Sequence, residues 1–131
     1  MKARPRVFKR RTFRRIRAKS TQTTTGNHHH VYVVLLEPAA ARIRKVLLVN
    51  PARDPKKPIV YVGLTGLTPQ ERFANHKSGI KCSSLVRRFG IRLLPELYEH
   101  LNPMPYEAAA RMEKDLTEDL RRAGYTVVGG Q

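Results

Sequence analysis

A chain of 131 residues is the length of one domain, and 26 Lys and Arg against 10 Asp and Glu leave a formal charge of +16. That excess, with a sequence pI near 11.0, points to a polyanionic partner. Mean hydropathy is −0.48, and no apolar run approaches the roughly 18 residues a membrane span needs, which excludes a transmembrane protein. Cys82, as the single cysteine, permits neither an internal disulfide nor a cysteine-rich zinc site, so a reducing, intracellular compartment is expected, cytoplasmic by default.

The first 19 residues hold ten basic side chains, and the first acid in the chain is Glu37. With Val7, Phe8, Phe13 and Ile16 as the large apolar groups, this stretch cannot bury enough surface to offset ordering entropy. Residues 1–27 are therefore expected to form a disordered basic arm, with 28–131 as the folded domain. Arg10, Arg11, Arg14, Arg15 and Arg17 are its densest cations, suited to neutralising phosphates and releasing counterions without choosing a sequence. An organellar transit peptide shares this composition, and an upstream extension without a role is the plainest alternative. His28, His29 and His30 are consecutive, and side chains so placed rarely converge on one ion.

Val31 to Leu36, dense in β-branched and aromatic residues and stopped by Glu37-Pro38, predicts a strand, and Ile59 to Leu64 predicts a second. Between them Pro51, Pro55 and Pro58 predict an irregular loop. Thr68-Pro69-Gln70-Glu71 is a capping-box layout, predicting a helix from Pro69 to about Gly79. A short helix over Ser83 to Phe89 follows, closed by Gly90, and then a weak edge strand over Ile91 to Tyr98, interrupted by Pro95. Pro105 opens and Gly124 closes a long amphipathic helix, and Tyr125 to Val128 predicts a short final strand. This order predicts a small α+β domain with helices on a mainly antiparallel sheet.

The period of two puts Tyr32 on one face of the first strand, and Tyr61 and Gly63 on one face of the second. If the strands pair, two phenols share a face, and Gly63 leaves room for a close approach. Arg72 and His76 stand four apart on the capped helix: one can fork onto a phosphate, the other can move a proton near neutral pH. Glu113 sits at the edge of the last helix's apolar stripe with no cation at helical spacing, which makes it a metal-ligand candidate.

Together these pieces resemble the GIY-YIG nuclease superfamily. His30-Val31-Tyr32 stands at the first tripeptide, Tyr61-Val62-Gly63 at the second, Arg72 with His76 gives the Arg-x-x-x-His helix, and Glu113 in Glu113-Lys114-Asp115-Leu116 gives the acidic motif. The chain departs in placing His30 where the family has Gly and Val where it has Ile. It also separates the two tyrosines more widely, so about 43–58 reads as an insertion. No Asn follows Asn102, so either Gln131 substitutes for the family's late Asn or that role goes unfilled.

The resemblance implies an α/β sandwich with a three-stranded antiparallel sheet flanked by helices, acting as an endonuclease on DNA with one divalent metal, Mg²⁺ or Mn²⁺. It implies Glu113 as the metal ligand, Arg72 as the counter-charge on the phosphate, and Tyr32, Tyr61 and His76 as the groups that activate water. Tyr32 is the leading general base, and a phenol's pKa near 10 would have to be lowered by Arg72 or the metal. Lys77, beside His76, is a further phosphate contact. The rivals are a non-catalytic basic nucleic-acid-binding protein and a nuclease-like interaction module without activity. No small-molecule cofactor is expected.

Overall fold

The computed structural model describes residues 27–130, and the basic arm expected over 1–27 lies almost wholly outside the described residues. Among the described residues four strands and four helices follow in chain order: β1 (His30–Leu36), α1 (Arg44–Leu48), β2 (Ile59–Thr65), α2 (Pro69–Ser78), α3 (Ser84–Phe89), β3 (Gly90–Leu93), α4 (Tyr106–Arg122) and β4 (Thr126–Gly129). Short 3-10 turns occupy Pro38–Arg42, Pro95–Leu97 and Glu99–Leu101. Among these residues no helix is long and apolar enough to cross a membrane.

The sheet has the order β3-β1-β2-β4. β1 and β2 pair antiparallel along their whole length, with Tyr32 opposite Gly63 and Val34 opposite Tyr61. β3 lies antiparallel on the other edge of β1, with a register shift at Leu35/Leu36. β4 runs parallel to β2, Tyr61 beside Val128. The sheet is therefore four-stranded and mixed, which corrects the three-stranded antiparallel sheet implied by the resemblance. A parallel neighbour needs a long crossover, and α4 completes the one that returns the chain to start β4 in the direction of β2.

Both faces of the central strand are covered. Val31, Tyr32, Val33 and Val34 are all buried, although alternate residues point to opposite faces. α2 and α3 pack on β1 and β3, while α4 packs on β1, β2 and β4, its Ala109, Met112, Leu116 and Leu120 filling the core. The capping box forms as its residues dictate: the Glu71 N–H donates to Thr68 Oγ1 at 3.1 Å, and the Thr68 N–H to Glu71 Oε1 at 3.0 Å. The chain leaves α2 through Gly79 at φ 86°, a left-handed conformation that glycine adopts without a Cβ clash.

The 43–58 segment is more regular than its prolines suggest. Pro51, Pro55 and Pro58 all follow α1, so they end it without interrupting it, and Val46 is buried beneath it. Asn50 then ties the segment to the sheet. Its Oδ1 accepts the Val127 N–H at 2.8 Å and its Nδ2 donates to Val127 O at 2.9 Å, as a neighbouring strand would. Nδ2 also donates to Val46 O at 2.8 Å, and Oδ1 accepts Arg121 Nε–H at 3.2 Å. Asn102 does the same for β1, accepting from Val31 N–H at 2.9 Å and donating to Val31 O at 2.7 Å.

Asn50→Ala leaves a buried N–H and carbonyl of Val127 without that partner, at a cost of about 1–3 kcal/mol. Chemical denaturation should show this loss with an unchanged m-value, and an Asn50→Ala variant as stable as wild type would contradict the pairing.

Candidate active site

Four elements contribute polar side chains to one place. Tyr32 comes from β1, Tyr61 from β2, Arg72 and His76 from α2, and Glu113 from α4. The rings of Tyr32, Tyr61 and His76 form a triangle with centroid separations of 6.2, 6.0 and 5.7 Å. Tyr32 reaches this position by lying across Gly63: a Cβ on that glycine would stand 2.5 Å from Tyr32 Cζ and Oη. The close approach anticipated at Gly63 is thus made by the phenol from the neighbouring strand.

His76 is fully buried and both its ring nitrogens have partners. Nδ1 accepts the Ser83 N–H at 2.9 Å, and Nε2 lies 2.9 Å from Tyr32 Oη. A backbone N–H can only donate, so Nδ1 carries no proton and the neutral ring is assigned as the Nε2–H tautomer. Nε2 therefore donates to Tyr32 Oη, which leaves the phenol's own hydrogen free to point elsewhere. Burial, followed by the charge of Arg72, lowers His76 to about 4, so the ring is neutral at pH 7.

Arg72 Nη2 donates to Lys81 O at 2.8 Å, and Nη1 to Ile80 O at a long 3.5 Å, which anchors the guanidinium to the loop after α2. Its charge acts on both phenols and on His76. The Tyr32 pKa is nevertheless pushed up, chiefly by burial and then by Tyr61, with Arg72 opposing. Burial also raises Tyr61; Arg72 opposes this and Glu113 adds to it, which places the carboxylate in electrostatic reach of the phenol. The resting site therefore holds both tyrosines protonated, the opposite of the lowered phenol a general base requires.

Glu113 is half-buried, and its carboxylate makes no hydrogen bond or ion pair with any described residue. Burial raises its pKa, with Lys114 opposing. Among the described residues no group of three or more His, Cys, Asp and Glu gathers as a metal cage. A carboxylate without a hydrogen bond or ion pair fits Mg²⁺, which binds through one or two carboxylates and fills its remaining positions with water and phosphate oxygens.

Lys77 is exposed, and two of its three ammonium hydrogens serve the fold. Its Nζ donates to Arg87 O at 3.1 Å and Gly90 O at 2.9 Å, capping the end of α3. Arg10, Arg11, Arg14, Arg15 and Arg17 lie outside the described residues. Ser83 is a site residue that the sequence does not single out. Its one local signal is that of an N-cap for a short helix, and the use of its own N–H on His76 leaves no trace in composition. A scan against protein-family models, a search of curated proteins and a search of solved structures each find no match.

The depressed histidine pKa carries a stability signature. Between pH 6.5 and about 4 the unfolded chain binds the His76 proton and the folded chain does not. The contribution is therefore fully present above pH 6.5 and lost as pH falls toward 4, up to roughly 3 kcal/mol at about 1.4 kcal/mol per unit. The stability difference between wild type and His76→Gln should shrink across this window in pH-dependent denaturation; a difference independent of pH would show that His76 is not held neutral.

Proposed function

We propose that this protein is a metal-dependent endonuclease of GIY-YIG type that hydrolyses DNA phosphodiester bonds. The observation that carries the reading is the convergence of Tyr32, Tyr61, Arg72, His76 and Glu113 from four separate elements onto one ring cluster. A basic binding protein has no need of a buried histidine hydrogen-bonded to a buried phenol beside a carboxylate without a hydrogen bond or ion pair. The excess of +16 supplies the attraction to DNA.

Glu113 is the residue that would hold Mg²⁺ or Mn²⁺. Bound there, the ion supplies Lewis acidity to the scissile phosphate and to the departing oxygen. Arg72, held by the Lys81 and Ile80 carbonyls, has N–H donors to spare for non-bridging phosphate oxygens as their charge grows. Tyr32, once ionised, is the general base, its phenolate Oη receiving the water's proton. His76 Nε2–H donates to that same oxygen and Arg72 sits beside it, so both favour the phenolate against the burial that opposes it. His76 is a positioning residue in this scheme, because its Nδ1 is already occupied by Ser83.

With Mg²⁺ or Mn²⁺ the wild type should nick and then linearise supercoiled plasmid, at a rate that climbs from about pH 7 to 9 as the phenol ionises. Glu113→Ala and Arg72→Ala should each lower the rate at least about 10²-fold at matched DNA binding. Mg²⁺ should also raise the Tm of wild type and not of Glu113→Ala. Binding without cleavage of plasmid or branched DNA would replace this reading with a non-catalytic binder or an inactive nuclease-like module.

The ten cations in the first 19 residues are assigned to nonspecific phosphate contacts. Deleting residues 1–19 should weaken DNA binding and flatten the dependence of log affinity on log salt, whose slope falls by about 0.9 for each phosphate no longer neutralised. An unchanged slope would remove the arm from the interface.

A further inference from the structure

A cleft of about 650 Å³ lies between α1, the start of α3 and the end of β4, within the roughly 300–1,000 Å³ of sites that hold small ligands. It adjoins the ring cluster on two sides. Ser84 lines it directly after Ser83, whose N–H holds His76, and Gly129 lines it close against the ring edge of Tyr61. Ile43, Val46, Leu85 and Val128 form aliphatic walls, and Val49, 47% exposed, forms a lip. Beyond the lip, Leu48 at 68% exposure continues the apolar surface into solvent.

The charge around this apolar cleft has one sign. Lys45, Arg88 and Arg121 line it, and no acid stands among its described lining residues. Arg121 is already committed, with Nε on Asn50 Oδ1 at 3.2 Å and Nη2 on Val127 O at 3.1 Å. Lys45, and Arg88 whose guanidinium lies 4.8 Å from the Phe89 ring centroid without a hydrogen-bonded partner among the described residues, carry the charge that can adjust to a ligand. The occupant needs an anionic group beside a flat apolar face. The chain's own basic arm and a second copy at +16 are both of the wrong sign. A nucleotide has both parts: its base meets the aliphatic walls and its phosphate meets Lys45 and Arg88. A base inside a duplex is stacked and paired, so a nucleotide lacking its partner enters at the smallest cost.

We infer that this cleft is a subsite for one unpaired nucleotide of the DNA strand, next to the phosphate that the ring cluster addresses. The substrate class is then DNA with an unpaired or displaced nucleotide, in preference to continuous duplex. This rests on the nuclease reading for its place beside a cleaved bond, while the binding step can be measured without cleavage.

The test is binding of the full chain, in EDTA, to a duplex carrying one unpaired fluorescent aminopurine, against the same duplex with that base paired. The unpaired DNA should bind about tenfold more tightly, because its free nucleotide enters the cleft without the cost of breaking a base pair. Its emission should change as the base moves into the cleft. Val49→Asp, at an exposed position, and the Lys45→Ala/Arg88→Ala double variant should remove both effects with Tm unchanged. Equal affinity for the two duplexes, or an emission change that survives Val49→Asp, overturns the subsite. Metal-dependent plasmid cleavage without the aminopurine response defeats the subsite and leaves the nuclease standing. A response removed by Val49→Asp in a protein that never cleaves sustains the subsite and defeats the nuclease.

Discussion

The site depends on a missing methyl group. Tyr32 and Gly63 are register partners on adjacent strands, and the phenol lies over the glycine where any Cβ would stand 2.5 Å from the ring. That empty volume lets a β1 side chain cross β2 and come within 2.9 Å of a histidine on α2. Tyr61 joins it because two residues along a strand return to the same face. The rotation of α2 is set by its first turn, where Thr68 and Glu71 cap each other's backbone, and from that start Arg72 and His76 fall one turn apart on the side of the rings. A local packing vacancy and a local cap therefore place four of the five polar groups.

The electrostatics of the cluster run against its own stability. Burial raises both phenols and Glu113 and lowers His76, so these four are pushed toward their neutral forms. Arg72 is the opposing charge on the phenols, and its guanidinium is kept in place by backbone carbonyls, not by a carboxylate that would cancel it. Such an arrangement is poor as a structural ion-pair network and suited to receiving charge from outside, which is how functional sites commonly depart from stability optima.

Much of this is legible in the residues. β-branched runs announce β1 and β2, the Thr-Pro-x-Glu signal announces α2, and the spacing of Ala109, Met112, Leu116 and Leu120 announces α4. Taken element by element, the chain yields four strands in the right order. The three-stranded antiparallel sheet comes from resemblance, and it misses the parallel β4, whose placement follows from a crossover and from Asn50 rather than from any local pattern. Asn50 and Ser83 are inconspicuous for the same reason. Each works by pairing with backbone or through its own backbone, and such contacts between distant residues leave no periodicity or composition to read.

The parallel docking of β4 on β2 also sets an order in time. β1, β2 and α2 all precede α4 in the chain, whereas β4 returns to β2 only after α4 has been added. A nascent chain halted before α4 contains the tyrosines, the arginine and the histidine but lacks the carboxylate. Synthesis runs at about 5–20 residues per second, so the interval is a few seconds in which the chain already carries its DNA-attracting charge without a complete site. On the reading of this fold as a nuclease, cutting capacity is thus acquired only once α4 has been made, and products halted before it are inert because the carboxylate comes last.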